Sequence, residues 1–358
     1  MKFYFKLFLR LGQFCVRACL IGLPMMAAAH AQHLALLPTV NLWHEEKPDD
    51  GKKNDRNVIV DIFYSADYDR LRLLMETQIT NKERDVERLH VGWRLEPETS
   101  LWFGRFHNPI GYWNTQHHHG HYLETTSTRP KIVAFEDDGG PLPIHLVGFW
   151  FESTHAVNDG GLHYDLAAAS GPKLEEEGIE PVDLVRHPRY NKLALTARLV
   201  WQPDQTRDDQ VSVYAAHTQI PAFDQAFESV TQTLLGASFN YEHDRVRVLG
   251  EGYRIQHRMS GANGSIAPWP AYWAGYLQAE YKWEPSVWTA YARMEAMSSA
   301  MTPEYRALFP KLTKRTDLVG LRWDFYTNQA LKFELSHDQK FELGGSWGAR
   351  VQWSAMFH

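Results

Sequence analysis

The strongest constraint on the fold is a ladder of short segments in which apolar and polar residues alternate. In RLRLLMETQIT (70–80) and YWAGYLQAEYKW (272–283), every second side chain is mostly apolar, and charged residues stand between them. A two-residue period is that of a β-strand with two different faces. Beyond the N-terminal segment, no stretch approaches the roughly 18 apolar residues that a spanning helix needs. The pattern therefore predicts an all-β fold.

The same period recurs along the chain and predicts about sixteen strands, an even number like that of single-chain bacterial barrels. Segment 33–44 is weakly patterned, so fourteen strands is the alternative count. The predicted strands are 33–44, 57–66, 69–79, 85–95, 99–106, 145–155, 161–170, 191–202, 209–219, 230–242, 245–256, 271–283, 286–297, 316–326, 328–337 and 347–357.

The linkers between these segments alternate in length. Short linkers such as Glu284-Pro285 and Thr327 alternate with longer, more polar ones such as 107–144 and 171–190. Short turns on one rim and long loops on the other are typical of outer-membrane barrels, whereas a soluble sandwich gives no such alternation. The final segment, GARVQWSAMFH, also resembles the terminal strand signal of outer-membrane proteins. We therefore expect a transmembrane antiparallel β-barrel with short periplasmic turns and long external loops.

Residues 1–31 have the pattern of a secretory signal peptide: a basic start, a short apolar run and Ala29-His30-Ala31 at its end. Both cysteines, Cys15 and Cys19, lie in this segment, so the remaining chain cannot form disulfides or cysteine-ligated metal sites. We expect a single barrel domain, 32–358, exported to the cell outer membrane, with outer-membrane lipid as its partner.

The charge of the remaining chain argues against one class of partner. Removing Lys2, Lys6, Arg10 and Arg17 from the 37 lysines and arginines leaves 33 against 43 acidic residues, a net charge of −10. Non-specific nucleic-acid binding needs a basic face, so no nucleic-acid partner is expected. We also expect no cofactor.

The longest linker, 107–144, holds about 38 residues, well beyond an ordinary loop. It contains NTQHHHGHYLETT (114–126), with four histidines in five positions. Counting strands from a periplasmic N-terminus makes this linker the third external loop. The candidate constriction residues are His107, His117, His118, His119, His121, Glu124, Arg129, Lys131, Glu136, Asp137 and Asp138.

The segment GRFHNPIGYWN (104–114) resembles the same region of the phosphate-selective porin family, porins O and P. In general porins the third external loop folds into the barrel and narrows the pore, so the resemblance implies a pore constricted by 107–144. The family's phosphate preference depends on clustered lysines in the constriction. Here the loop offers only Arg129 and Lys131 as cations, so the resemblance carries over the fold and the pore and not the phosphate preference.

The histidines have three interpretations. His117, His119 and His121 would point the same way on an extended segment and could bind zinc or copper. They could equally be solvated loop residues, or a pH gate whose protonation near pH 6 adds positive charge to the constriction. Asp137 and Asp138 could likewise bind a divalent cation or form a simple acidic turn before Gly139-Gly140.

Charged residues also fall on the polar faces of the predicted strands, where they would line the lumen and orient small polar solutes. The acidic members are Asp61, Glu76, Glu152, Glu251, Glu280, Glu295 and Glu334. The basic members are Arg70, Arg72, Arg88, Arg94, Arg105, Arg198, Arg245, Arg247 and Arg322.

These features favour a non-enzymatic porin for passive diffusion of small hydrophilic solutes or ions. One alternative is a receptor barrel that captures metal or another ligand with the histidine cluster, and a barrel closed by its own loops is another. A lipid-modifying enzyme is a lower alternative, because His217 has no accompanying nucleophile signature. A homotrimer fits the size, although no interface signal decides the oligomeric state.

Overall fold

The computed structural model describes residues 31–48, 52–81, 83–117, 120–175, 178–184, 192–223, 227–261, 264–265, 271–299, 301, 303–341 and 344–358. Sixteen long antiparallel strands form a closed barrel. The signal-peptide segment lies outside the described residues, except for Ala31, which begins the first strand.

The barrel strands follow one another around the wall in chain order. They are β1 (Ala31–Glu45), β2 (Asn54–Tyr68), β3 (Leu71–Thr80), β4 (Arg84–Glu96), β5 (Thr99–His107), β6 (His145–Val157), β7 (Gly160–Ser170), β10 (Leu193–Gln202), β11 (Gln210–Pro221), β12 (Ser229–His243), β13 (Val246–Gly261), β15 (Tyr272–Trp283), β16 (Trp288–Met297), β17 (Thr313–Tyr326), β18 (Gln329–Lys340) and β19 (Gly344–Ala355). The short strands β8 (Lys173–Glu175), β9 (Gly178–Glu180) and β14 (Gly264–Ser265) lie in the long connections.

The barrel closes because β1 pairs with β2 on one side and with β19 on the other. Leu36 and Phe357 add an isolated antiparallel bridge near the chain's end. The weakly patterned segment 33–44 is therefore a full strand, and the prediction of sixteen strands is confirmed over the alternative of fourteen. Closure leaves no unpaired sheet edge.

Tight turns join the strands at one rim. Four of these turns contain an Asp or Asn residue with a positive φ. Asp69, Asn158, Asp244 and Asn328 have φ between 51° and 57°, a region that Asp and Asn tolerate better than most residues. Two predictions are corrected here. Arg70 and Arg245 are exposed members of the turns after Asp69 and Asp244, so neither lines the lumen. A strand's face pattern stops where its turn begins.

The two faces of the wall differ as the alternation predicts. Outward side chains are apolar and exposed on nearly every strand, for example Leu34, Phe149, Leu235, Trp273 and Val319. Many inward side chains are polar and buried. Among the described residues, no helix has the length and apolar character to cross a bilayer.

The interior differs from the polar, water-filled lumen that the sequence predicts. Described residues of segment 108–144, of β8 and β9, and of a short helix at Pro303–Ala307 pack against the inward faces of β11 to β16. They share one buried apolar cluster with the wall, which includes Trp113, Phe135, Leu174, Tyr253 and Phe309. The apolar cluster exists because these loops supply large side chains that cover apolar inward positions.

Candidate pore constriction

The third external loop enters the barrel through its NPIG motif. Asn108 follows β5, and its amide group donates to the carbonyl of Pro143 at 2.9 Å, which ties the two ends of the loop together. Its amide oxygen accepts from the Thr196 hydroxyl on β10 at 2.7 Å. Ile110 is buried in the apolar cluster. Gly111 then turns the chain inward with a φ of 71°.

A buried carboxylate on the opposite wall receives the loop. Glu251 on β13 accepts from the backbone N–H of Trp113 at 2.6 Å and from the Tyr276 hydroxyl at 2.6 Å. The Tyr253 hydroxyl donates to the same carboxylate. Four-residue helix Trp113–Gln116 begins at this contact. Because these donors surround the carboxylate, it can stay buried and fix the loop's entry.

The structure separates two of the clustered histidines. His117 packs against the rings of Tyr112 and Trp113, and its Nε2 lies 3.5 Å from Arg247. Burial, together with the charge of Arg247, lowers the pKa of His117 to about 4. His121 instead lies 3.3 Å from the Glu124 carboxylate.

His117 therefore stays neutral near pH 6, which corrects the pH-gate interpretation for this residue. His118 and His119 lie outside the described residues, so the metal site of His117, His119 and His121 remains a prediction. For Glu124, burial alone would raise the pKa, but His121, Arg129 and Lys332 outweigh it and hold the pKa at about 2.

The loop then crosses the lumen and is fixed on the far wall by Arg293 of β16. This guanidinium donates to the Thr128 carbonyl at 2.8 Å, to the Thr128 hydroxyl at 3.0 Å and to the Arg129 carbonyl at 3.2 Å. Glu295 balances its charge at 2.9 Å and also accepts from the backbone N–H of Lys131 at 2.6 Å. This ion pair thus holds the loop at Thr128, Arg129 and Lys131.

Neighbouring strands complete this anchor. Glu334 accepts from the Thr128 hydroxyl at 2.7 Å, and Lys332 donates to the carbonyl of Thr126 at 3.0 Å. Arg322 donates to the carbonyls of Tyr122 and Glu124 at 2.9 and 2.8 Å. Hydrogen bonds from charged donors to carbonyl groups are stronger than those from neutral donors. The donors that hold the loop are inward side chains of the wall strands.

The two cations of the loop, Arg129 and Lys131, contact different groups and do not form a cluster. Arg129 donates to the Val133 carbonyl at 3.1 Å and lies 3.8 Å from the centre of the Phe135 ring. Lys131 is partly buried beside Glu295. The structure therefore places both residues in the constriction loop but gives them different surroundings.

A buried ionic group closes the base of the loop. His145 lies between Glu136 and Glu87, at 2.8 and 3.1 Å. Burial alone would raise the pKa of Glu136, but His145 outweighs it and lowers the pKa. His107 is the last residue of β5 and contacts the His145 ring, so it belongs to the wall and not to the loop.

Asp137 and Asp138 are exposed next to this group. The backbone N–H of Asp138 donates to the Asp137 carboxylate at 3.0 Å, and Gly139 follows with a φ of 88°. Of the two interpretations of Asp137 and Asp138, this geometry fits the simple acidic turn before Gly139-Gly140.

The remaining predicted wall arginines each have an acidic neighbour. Arg88 pairs with Glu76 at 2.6 Å, and Gln78 donates to Asp61. The other pairs are Arg72–Asp67 at 3.2 Å, Arg94–Asp67 at 3.6 Å, Arg105–Asp85 at 3.2 Å, Arg198–Asp165 at 2.7 Å, Arg247–Glu280 at 3.7 Å and Arg322–Asp324 at 2.8 Å. Arg105 makes its pairs near the external end of β5, and Arg94 near the periplasmic turn.

Sequence reasoning missed several lumen residues. Arg293, Lys332 and Asp165 lie on the inward faces of their strands. Arg293 and Lys332 stand two positions from Glu295 and Glu334, inward acidic residues that were named on the same strands. The period of two could therefore have found these two, whereas the strand that carries Asp165 holds no named acidic residue.

One group of possible metal ligands occurs among the described residues: Glu152, His163 and Asp165. Their contacts are already made by protein donors. Asp165 accepts from Arg198 at 2.7 Å and from the Trp150 indole at 2.9 Å. Because a guanidinium stands at the ligand position, the group is a hydrogen-bonded ionic network.

Comparison with known proteins gives a likeness in structure alone. No family model matches the chain, and no curated protein matches it. Among solved structures, the anion-selective porin from Comamonas acidovorans is similar, with a TM-score of 0.58, 13% identity and coverage of 91% of this chain and 99% of that chain. The OmpF–daunomycin complex from Salmonella typhi has a TM-score of 0.58 at 10% identity, covering 91% and 97%.

The outer-membrane channel DcaP of Acinetobacter baumannii gives a TM-score of 0.57 at 10% identity, covering 91% and 97%. These neighbours match over nearly their whole length. The chain thus has the closed sixteen-strand β-barrel fold of Gram-negative outer-membrane porins.

Proposed function

We propose that this protein is an outer-membrane channel for passive diffusion of small hydrophilic solutes or ions, narrowed by loop 108–144. The single observation that carries the proposal is the loop's position. It runs from β5 across the lumen to Arg293 on the opposite wall, inside a closed barrel with an apolar outer face. A barrel of this kind suits a lipid environment outside and an aqueous path inside.

The electrostatics favour a channel without strong ion preference. Inward cations such as Arg88, Arg198 and Arg293 each pair with a carboxylate within 3 Å. Paired charges cancel much of the field that a solute would meet. The similar porin from Comamonas acidovorans is anion-selective, but its selectivity does not transfer at 13% identity. We therefore do not extend the proposal to phosphate selectivity.

Liposome swelling tests the proposal. Vesicles that contain the folded protein should swell in isotonic solutions of small neutral solutes, and the rate should fall steeply with solute size. Empty vesicles and vesicles with heat-denatured protein are the controls. Swelling at the control rate for every solute would contradict the diffusion channel.

A second candidate function is a barrel that is closed at rest. The apolar cluster that joins the loops to β11–β16 favours it, because this packing fills part of the lumen with large side chains such as Trp113 and Phe309. A closed barrel would give no swelling with the wild type but would conduct after the loop's far-wall anchor is removed. The two candidates thus differ in the behaviour of the unaltered protein.

We propose no enzymatic activity. His217, the histidine weighed for a lipid-modifying site, faces the outer surface of β11 and shares a hydrogen bond of 3.0 Å with the Thr233 hydroxyl. No acidic partner for His217 occurs in the part of the chain that the structure describes. The pair lacks the orienting carboxylate that activates a nucleophile.

A further inference from the structure

A second feature of the lumen is a cavity of about 310 Å³ between loop residues 109–116 and the inward faces of β3 to β10. It lies in the half of the barrel away from the apolar cluster. Its volume is near the lower end of the roughly 300–1,000 Å³ of small-molecule sites. The cavity is therefore large enough for one small solute.

Two matched groups of side chains line it. In the first, the Trp102 indole donates to Glu152 at 2.8 Å, and Arg72 lies 3.6 Å from the same carboxylate. In the second, the Trp150 indole donates to Asp165 at 2.9 Å, and Arg198 donates to it at 2.7 Å. Each carboxylate therefore fixes one indole and one guanidinium at the cavity wall.

The two indoles form one aromatic surface. Their rings are stacked at 18° with centroids 5.9 Å apart, and Phe106 stacks on Trp150 at 5.8 Å. Trp102 is largely covered, whereas Trp150 is only partly buried. Because both indole nitrogens are bound to carboxylates, the rings cannot rotate freely, and the exposed part of Trp150 offers an apolar contact of fixed orientation.

The charges in the cavity cancel. Arg72 and Arg198 meet Glu152 and Asp165, and Arg88 is paired with Glu76 behind it. A phosphate would lie beside two carboxylates, and a metal ion would lie beside three guanidinium groups. Neither a strongly charged anion nor a cation suits such surroundings, but a neutral solute with many hydroxyl groups can use donors and acceptors of both kinds.

One buried acceptor is still free. Asn114 lines the cavity with its side chain fully buried, and its amide group donates to the carbonyl of Asn108 at 2.5 Å. The amide oxygen accepts no hydrogen bond from the described residues. A buried acceptor without a donor is costly, and a small rotation of the Asn114 side chain towards the cavity would let a ligand hydroxyl satisfy it.

We propose that this cavity is a binding site for a neutral hexose, with the sugar ring against the exposed part of Trp150 and hydroxyl groups on the arginine–carboxylate pairs and Asn114. The inference deepens the proposed diffusion function, on which it rests for the solute's route. The site would hold a sugar briefly beneath the loop and raise its local concentration in the lumen.

Saturation-transfer NMR with glucose on the folded protein in detergent micelles tests the site. We expect saturable glucose binding that excess phosphate does not displace. Trp150→Ala should weaken it by about fivefold to tenfold, since an aromatic contact of this kind is lost. Trp150→Phe keeps the ring and should retain most of the binding, which guards against a folding effect.

The matched control is Phe149→Ala, one residue away on β6 with its side chain exposed on the outer face. Its glucose affinity should equal that of the wild type. No saturable binding to the wild type, equal binding by Trp150→Ala, or displacement by phosphate would overturn the proposal. Because the assay needs no transport, glucose binding by a protein that fails to swell liposomes would refute the channel and leave the site intact.

Discussion

Gly111 marks the residue at which the loop turns from the wall into the lumen. Its φ of 71° is a conformation that side chains other than glycine rarely adopt. A Cβ placed there would lie 2.0 Å from the Glu251 carboxylate and 2.6 Å from the Tyr253 hydroxyl. The last residue of the NPIG motif is therefore set both by backbone conformation and by the buried carboxylate beyond it.

Substitution of Gly111 by alanine should thus destabilise the folded barrel. We expect Gly111→Ala to lower the free energy of unfolding by about 1–3 kcal/mol, the usual cost of such backbone strain. Urea unfolding in lipid vesicles measures it. Gly252→Ala is the matched control, because Gly252 faces outward with no atom within 4 Å of the added Cβ. Equal stability of the two variants would contradict this role for Gly111.

His117 gives a prediction about pH. Its pKa is about 4 in the folded protein against an ordinary value of 6.5, so the unfolded chain takes up the proton first. The stability linked to His117 is full above pH 6.5 and is lost as the pH falls towards 4, by up to roughly 3 kcal/mol. His117→Gln should be less sensitive to pH in this window, as urea unfolding at several pH values will show.

Two residue assignments show why sequence reasoning was less secure at single positions. Arg70 and Arg245 continue the alternation of their strands, yet both lie in the turns. Alternation reports the faces of a strand but not the residue at which the strand ends. For His117, the pH gate was one of three interpretations left open. The sequence could not decide among them, because the burial of His117 depends on Tyr112 and Arg247, which the loop's path brings to it.

At the scale of elements, the strands were predictable and the loop's course was not. A strand such as β15 shows its period within a dozen residues, since neighbouring strands bury one face along its whole length. The loop has no period. Its contacts join residues that are far apart in sequence, as Arg293 with Thr128 and Lys332 with Thr126 do. The general porin resemblance supplied its inward direction, but no sequence pattern indicated its anchors.

At this scale, substitution of Arg293 tests whether its side chain anchors the loop to the far wall. Arg293→Ala removes donors to Thr128 and Arg129 and leaves Glu295 without its cation. We expect the loop to detach from the far wall, so that larger solutes swell liposomes faster than they do with the wild type. Arg315→Ala is the control, because that exposed arginine pairs with Asp317 on its own strand. Identical size cut-offs for the two variants would refute the anchoring role.

At the scale of the whole molecule, charge pairing and apolar packing together define the lumen. One side of the barrel carries the cavity beside Trp150 with its paired Arg72 and Arg198, and the other is packed with the loops and holds further ion pairs such as Arg293–Glu295. The composition does not distinguish these halves, because inward tyrosines such as Tyr253 and Tyr276 are polar or apolar according to what covers them. Which half of the lumen is apolar therefore depends on where the folded loops pack.

The paired charges predict weak ion preference. In a salt gradient across a planar bilayer, we expect a reversal potential close to zero, because most of the wall arginines have a carboxylate partner. Glu295→Gln leaves Arg293 without its acidic partner and should move the reversal potential towards that of an anion-selective channel. A strongly selective wild type would contradict the charge-cancelled lumen.

The most direct test of the central claim is single-channel recording of the refolded wild type beside Arg293→Ala. We expect stepwise conductance for both proteins, with larger steps in the variant because its loop leaves the far wall. Absence of conductance from both well-folded proteins would contradict a channel narrowed by loop 108–144.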